Sequence, residues 1–403
     1  MSVNTLNFEQ VSTVLTSIVQ QATGQTVLTP TDTGSFTSVA QVALRADRDS
    51  VMQAISNVLA RTIFSIRPYN AKFTGLMMDT FRWGSFMRKI SIADTAWQDD
   101  PAFDWPALWD VTQNPPSGDG QAIDPWTIKK PDVLQTNFYG QSVYFDEMTI
   151  FEDQLETAFQ GPEQLGSFLA LIMTNLSNRL EMATENMRRG LVCNAIAAVI
   201  DEGQTDRVVH LLTEYNTLTG LTLTSTTVYQ PANFAPFMKW VYSRVATLSA
   251  MMTENSVKFQ TIINGKPILR HTPYQDQRIY MYAPARYQID ARVLADTFHD
   301  NYLRYADVET VNYWQSINTP DSINITPAYT STAGVLVVPN SPVTQSDVFG
   351  IMFDRDMTGM TILDQRVLST MLNTKGLYRN LHLHGRLRCA QDLSEKCIVL
   401  LLD

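Results

Sequence analysis

One apolar stripe, running through residues 162–202, constrains this chain more than any other feature. Leu165, Phe168, Leu169, Ile172, Leu176, Leu180, Ala183, Met187, Leu191, Ala195 and Ala198 recur mostly at steps of three and four. That spacing collects side chains on one face of an α-helix. Gly161-Pro162 marks the start, because proline at the first helical position gives up an N–H that would have no partner. Some ~40 residues at ~1.5 Å each make a rod of roughly 60 Å. Ordinary globular helices stop near ~20 residues. A rod of this length with one apolar stripe is a scaffold on which other elements are laid, not in itself a place of chemistry.

The composition fits a subunit of something larger. Hydrophobic residues make up 44% of 403, ample for a core, while charged residues are only 17%. Soluble proteins carry roughly 25%, so a chain this poor in charge is expected to hide surface in an assembly. The net charge of −10 argues against a protein whose main task is gripping nucleic acid. Lys129-Lys130 and Arg188-Arg189 are isolated pairs, not a phosphate-tracking run. Cys193, Cys389 and Cys397 are too few and scattered for a disulfide framework or zinc site; buried thiols in a reducing compartment are expected. The N-terminus shows neither a basic region nor an apolar core of a signal peptide. No apolar run is long enough to span a bilayer.

Ahead of the rod, residues 1–50 read as an arm. Asn7 can cap a short helix with Phe8, Val11, Leu15, Ile18 and Val19 on one face, and Thr23 to Ser38 reads as extended linker. A second helix is expected over 47–81. Strand-like segments Phe86–Ile92 and Phe138–Phe145 then flank a middle rich in Pro, Gly, Asp and Trp. That middle holds Trp97, Trp105, Trp109 and Trp126, and eight aspartates against two lysines, a net of −6. A structureless stretch this long is rarely idle in a compact domain, and Trp is favoured where surfaces meet. Residues 84–145 therefore read as a two-stranded arm whose tip packs on another subunit; the competing reading is an inserted subdomain.

After the rod, Val208 to Tyr229 reads as strand-turn-strand on its Thr/Leu alternation. A helix follows on Phe234, Phe237, Met238, Val241, Val245 and Leu248. Strands are expected at Phe259–Ile263, Arg278–Tyr282, Val335–Val338 and Val348–Phe353. A helix after Pro284 carries Tyr287, Val293, Leu294, Phe298 and Tyr302. The chain ends on strands at Leu377–Arg388 and Cys397–Leu402.

Catalytic signatures are absent: no G-x-S-x-G, phosphate loop, H-E-x-x-H or C-x-x-C occurs. His382 and His384 share a strand face, but Arg379, Arg386 and Arg388 surround them, so no metal site is assigned. Asp146-Glu147 and Glu152-Asp153 sit where a helix begins, which favours exposed acids. Glu181, Glu185, Arg188 and Arg189 read as a solvated charge ladder. No catalytic, cofactor or metal residue is predicted.

The order of elements resembles the major capsid proteins of tailed bacteriophages, the Hong-Kong-97-type (HK97-like) α+β fold. Two segments are similar to those of small short-tailed phages: Thr149-Ile150 with Asp153, Leu155 and Thr157-Ala158-Phe159, and Gly376-Leu377-Tyr378 with Asn380 and His384. The resemblance implies an N-terminal arm (1–50), an extended loop (84–145) and a spine helix (162–203). It implies a peripheral domain from 50–84, 145–230 and 355–403, and an axial domain over 231–354. It further implies hexamers and pentamers closing an icosahedral head around double-stranded DNA, a separate scaffolding protein, a portal, no membrane, and a virion assembled in host cytoplasm. Subunit contacts are expected at Trp97, Trp105, Trp109 and Trp126. The acidic loop, with Asp99, Asp100, Asp104 and Asp110, is expected over basic surface near Arg278, Arg286, Arg292 and Arg304, or near Arg379, Arg386 and Arg388. A cellular nanocompartment shell of the same fold, and an enzyme with a Trp-rich lid, are the alternatives.

Overall fold

The computed structural model describes residues 8–24, 29–46, 72–76, 86–93, 126, 132–139, 142–283 and 307–403. Its axis is the helix α4 (Pro162–Glu202), preceded by α1 (Phe8–Thr23), α2 (Thr33–Ala46) and the short α3 (Glu152–Ala158). Pro162 occupies the first turn of α4, as the sequence predicts, and Gly203 ends it with φ 70°, its N–H on the Ile200 carbonyl. That left-handed cap is a conformation only glycine adopts freely.

The two halves of α4 lie in different surroundings. Its first half carries Leu165, Ile172 and Leu176 into a core shared with α1 and α2, which supply Val11, Leu15, Ile18, Phe36 and Ala40. The far side of that core is a three-stranded antiparallel sheet of β12 (Thr358–Ser369), β13 (Tyr378–Gln391) and β3 (Ser142–Phe151), with β13 central. Gly385 of β13 lies under the ring of Tyr144, whose hydroxyl accepts a 2.7 Å hydrogen bond from Gln365 on β12. A Cβ at Gly385 would fall 2.0 Å from the tyrosine Cζ, so the glycine is what lets the ring lie across the sheet. In the second half of α4 the single stripe widens into burial all round: Val192, Cys193 and Ala195 to Val199 are enclosed.

That enclosure comes from a five-stranded sheet in the order β4 (Val208–His210), β14 (Cys397–Leu401), β11 (Val348–Asp354), β5 (Gln277–Tyr282) and β6 (Asp307–Val311). Strand alternation divides its side chains between two cores. Cys397, Val399, Leu401, Ile351 and Phe353 face α4. Ile398, Leu400, Phe349 and Met352 face α5 (Leu211–Thr219) and α6 (Pro231–Thr253). At Gly350, in the sheet's centre, a Cβ would lie 2.8 Å from the Tyr280 carbonyl oxygen. Short pairs complete this region: β7 (Ile323–Ile325) with β10 (Val343–Gln345), and β8 (Tyr329–Thr330) with β9 (Leu336–Val337).

Several expectations need correction. The linker expected over 23–38 gives way to α2 from Thr33. Asp32 caps it, its carboxylate accepting the Ser35 N–H at 2.7 Å, and Phe36 is driven into the core. The capping spacing Asp32…Ser35 was present in the sequence but masked by the small, polar composition. Over 208–229 only β4 is a strand. Leu211, Leu212 and Tyr215 bury one face of α5, and the Thr217 and Thr219 hydroxyls bond back to carbonyls four residues earlier; packing overrides the alternation. Phe259–Ile263 is not a strand either: Phe259 has φ 65° and Asn264 φ 55°, which break an extended run. The block 231–354 does not close by itself, since β4 and β14 join its sheet. The helix expected after Pro284, and all of that over 47–81 except residues 72–76, lie outside the described residues.

Candidate assembly surfaces

β1 (Phe86–Ala93) pairs antiparallel with β2 (Asp132–Tyr139), Ile92 opposite Val133 and Lys89 opposite Thr136. The expected strand at 138–145 is in fact the end of β2 and the start of β3, which departs into the other sheet. Among the described residues β1 and β2 pair with no third strand. Their alternation makes two faces. The inner face carries Lys89, Ser91 and Leu134; Leu134 packs with Ile263 and Ile268 of the body. The outer face carries Ile90, Ile92 and Val133, of which both isoleucines are 58% exposed. Among the described residues no core covers these three aliphatic side chains, which makes them a candidate contact surface.

The inner face is held by charge. Lys89 Nζ lies 2.7 Å from an Asp392 carboxylate oxygen and also donates to Glu395. Arg270 donates to Glu395 and, at 3.1 and 3.0 Å, to the hydroxyls of Ser91 and Ser394. Lys266 donates to the Val133 carbonyl at 3.2 Å. Burial acts to raise the Asp392 carboxyl, but Lys89 and the Ser394 hydrogen bonds outweigh it and hold it below the ordinary carboxylate range. At Glu395 burial prevails over Lys89 and Arg270, and the carboxyl is pushed up. A polar cavity of about 430 Å³ opens beside Arg270 and Glu395, with Asp276, Asp354 and Arg355 on its walls.

A second candidate surface lies on the three-stranded sheet. Val143 and Phe145 of β3 are exposed beside His384 and Arg386 of β13. The His384 ring stacks on Phe145 at 6.1 Å. Between β3, α3 and the start of α4 runs a groove of about 820 Å³ with Met148, Phe168 and the exposed Leu171 on its walls.

The α4 charge ladder is not the solvated face expected, Glu181 alone of the four staying partly exposed. Glu185, Arg188 and Arg189 are buried, and Arg189 pairs with Glu185 at 2.8 Å. The Arg189 guanidinium stacks on Tyr313 at 3.7 Å, Arg188 donates to the Lys72 carbonyl, and Glu185 accepts the Lys72 N–H. The cluster clips residues 72–76 against the rod, with Phe73 fully buried beside Tyr280. Glu152, expected exposed, is buried too, whereas Asp153 stays in solvent. Asp146 and Glu147 sit on β3 rather than at a helix start, and Asp146 pairs with Arg179 at 3.0 Å.

Lys396 is buried beside β14, donating to the Glu254 carbonyl at 2.8 Å and the Ser256 hydroxyl at 3.0 Å. Burial pushes its pKa down to about 8 from 10.5. Between these values the unfolded chain binds the proton and the fold does not, so folding gains stability as pH rises through about 8 and loses it as pH falls. The buried Cys397 thiol, raised to about 11, acts in the opposite direction over part of that range. The prediction is therefore a difference. Wild type minus Lys396→Met stability, from urea midpoints, should rise between pH 7 and pH 9.5; a flat difference refutes it.

The sequence-predicted contact residues separate. Trp126 is 85% exposed. Trp97, Trp105, Trp109, Asp99, Asp100, Asp104 and Asp110 lie outside the described residues, as do Arg286, Arg292 and Arg304. Of the arginines, Arg386 is exposed, but Arg379 and Arg388 are buried within the subunit and unsuited to a neighbour's loop. His382 and His384 are adjacent, with His382 3.9 Å from Glu147. Among the described residues no cluster of metal-ligating side chains occurs, and no helix is long and apolar enough to cross a membrane. Sequence reasoning missed Lys89, Arg270, Asp392 and Glu395. Their only signal is the alternation of β1, which puts Lys89 and Ser91 on one face.

The sequence profile of the Phi29-like phage major capsid proteins matches residues 15–401. No curated protein matches this chain in sequence. Among solved structures, the capsid of Staphylococcus phage Andhra is similar at TM-score 0.51 and 11% identity, covering 84% of this chain and 87% of that one. A bacteriophage P68 structure of head fiber and inner core protein follows at TM-score 0.49 and 10% identity, covering 83% and 85%. At such identity the first likeness speaks to the fold.

Proposed function

Because the chain belongs to the Phi29-like phage major capsid protein family, we propose that it closes an icosahedral head of hexamers and pentamers around double-stranded DNA. It is a structural capsid protein with the HK97-like fold, not an enzyme, and part of the virion. Neither the nanocompartment nor the lidded-enzyme alternative gains support. In the proposed arrangement 84–145 is the extended loop, α4 the spine, and the five-stranded sheet the centre of the axial domain. A separate scaffolding protein and a portal complete assembly in the host cytoplasm. Trp97, Trp105, Trp109 and Trp126 meet a neighbouring subunit. The loop aspartates Asp99, Asp100, Asp104 and Asp110 lie over basic surface that includes Arg386. The net charge of −10 suits a wall that encloses DNA without gripping it.

The observation that carries this reading is the hairpin of β1 and β2. Its inner face is bound to the body, while Ile90, Ile92 and Val133 face outward with no core of their own. The test is negative-stain electron microscopy of the purified chain, alone and co-expressed with its neighbouring genes. Closed shells, tubes or sheets are expected. A uniform small oligomer under every condition would overturn the proposal.

A further inference from the structure

We propose that the ionic network around Lys89 fixes the direction of the hairpin, making Lys89 a positioning residue for the contacts of the outer face. The inference rests on the assembly role proposed above and adds how this chain aims its contact surface. An isolated two-stranded hairpin is marginal in water. Here no backbone ladder ties β1 and β2 to either larger sheet among the described residues. The hairpin is held to the body by side chains: Leu134 against Ile263 and Ile268, Lys266 on the Val133 carbonyl, and the Lys89 network. Leu134 supplies apolar contact, which is non-directional. Direction comes from charge-assisted hydrogen bonds, which are short and angular.

The network is built for that task. Lys89 reaches two carboxylates on one turn, Asp392 and Glu395, and Arg270 bridges the same Glu395 to Ser91, two residues along β1. Both ends of a four-residue turn and a body arginine therefore hold alternate residues of one strand face. The turn is itself rigid: Asp392 accepts the Ser394 N–H at 3.0 Å, and the Asp392 N–H bonds the Met357 carbonyl at 2.7 Å. It leads directly into β14 of the five-stranded sheet. The hairpin's bearing is thus referred to the most deeply buried strands of the subunit, while Ile90 and Ile92 project from its other face.

The test compares Lys89→Met with Lys89→Arg in the full chain, reading hydrogen exchange in the unassembled subunit and shell yield. Lys89→Met should speed exchange in 86–93 and 132–139 about tenfold or more, the loss of a charge-assisted hydrogen bond. Protection in β11 and β14 should not change, and shell yield should drop. Lys89→Arg should restore both. Wild-type hairpin protection in Lys89→Met would overturn the proposal. So would equal loosening of β11 and β14, which would mark a merely structural role. If Lys89→Met does not fold, Lys89→Met with Asp392→Asn relieves the orphaned carboxylate and decides in its place. Should wild type form no shells at all, the exchange contrast still judges the network while the assembly reading falls.

Discussion

Replacing Ile90 and Ile92 together by aspartate should leave a folded subunit that no longer forms shells. Both side chains are more than half exposed, on the hairpin face turned away from the Leu134, Ile263 and Ile268 cluster. Surface changes of this kind usually alter subunit stability by less than about 0.5 kcal/mol. Thermal unfolding of the unassembled variant should therefore match wild type closely. Assembly is another matter. Fully burying an exposed isoleucine contributes about 1.5–3 kcal/mol; with 58% of each still exposed in the subunit, losing two removes about 2–3 kcal/mol per contact. At about 1.4 kcal/mol per factor of ten, the concentration needed for assembly should rise at least about tenfold. Each aspartate adds the cost of desolvating a charge. Light scattering against protein concentration reads the shift directly. A double variant that assembles at the wild-type concentration would mean that the outer face of the hairpin meets solvent, not a neighbour.

How the sequence announced this surface, and how it hid the rest, follows from what periodicity can carry. The α4 stripe, its Pro162 start and the strands β5, β11 and β14 were readable because one residue property repeats along one segment. The hairpin strand at 86–92 was readable for the same reason. The Lys89 network was not, because its members lie near residues 89, 270 and 392–395, and nothing local marks them as neighbours. The buried ladder on α4 fails in the opposite way. Glu185, Arg188 and Arg189 have the spacing of a solvated face, but residues 72–76 and Tyr313 close over them. Arg379 and Arg388 show the same limit. Alternation on β13 puts Arg379 in one buried row with Leu381, Leu383 and Leu387, and Arg388, on the opposite face, is buried as well. Their charge alone suggested a surface that only Arg386 provides. The sheet partners of β14 were equally illegible, since the strand's pattern is compatible with either sheet. Only the assembled topology places the chain's last strand beside β11 and the three residues of β4.

That placement makes Arg207 a residue whose loss should cost the fold heavily. It stands just before β4 and is fully buried. Its guanidinium donates to Glu202 at 2.7 Å and to the Thr261 hydroxyl at 2.6 Å, and Nε lies 3.4 Å from the Cys397 carbonyl. Thr261 in turn donates to Glu202 at 2.8 Å, and the Arg207 carbonyl accepts the Val399 N–H at 2.8 Å. One side chain thus joins the last turn of α4, the irregular 259–261 segment and β14. Burying such a pair stabilises little in net terms, because desolvation offsets the attraction, but removing one partner leaves a buried charge alone. Arg207→Ala should therefore destabilise the subunit by about 3–5 kcal/mol, read as a lowered urea midpoint. Arg207→Met with Glu202→Gln keeps the volume and removes both charges, so it should recover a large part of the loss. The ordering of these two variants is the critical outcome. If the double variant is as unstable as Arg207→Ala, the guanidinium is held there for its hydrogen bonds to Thr261 and the Cys397 carbonyl, and the ion pair with Glu202 is incidental. If it recovers, the charge of Glu202 is what Arg207 exists to neutralise at the C-terminal end of the rod, where the helix dipole already disfavours an anion.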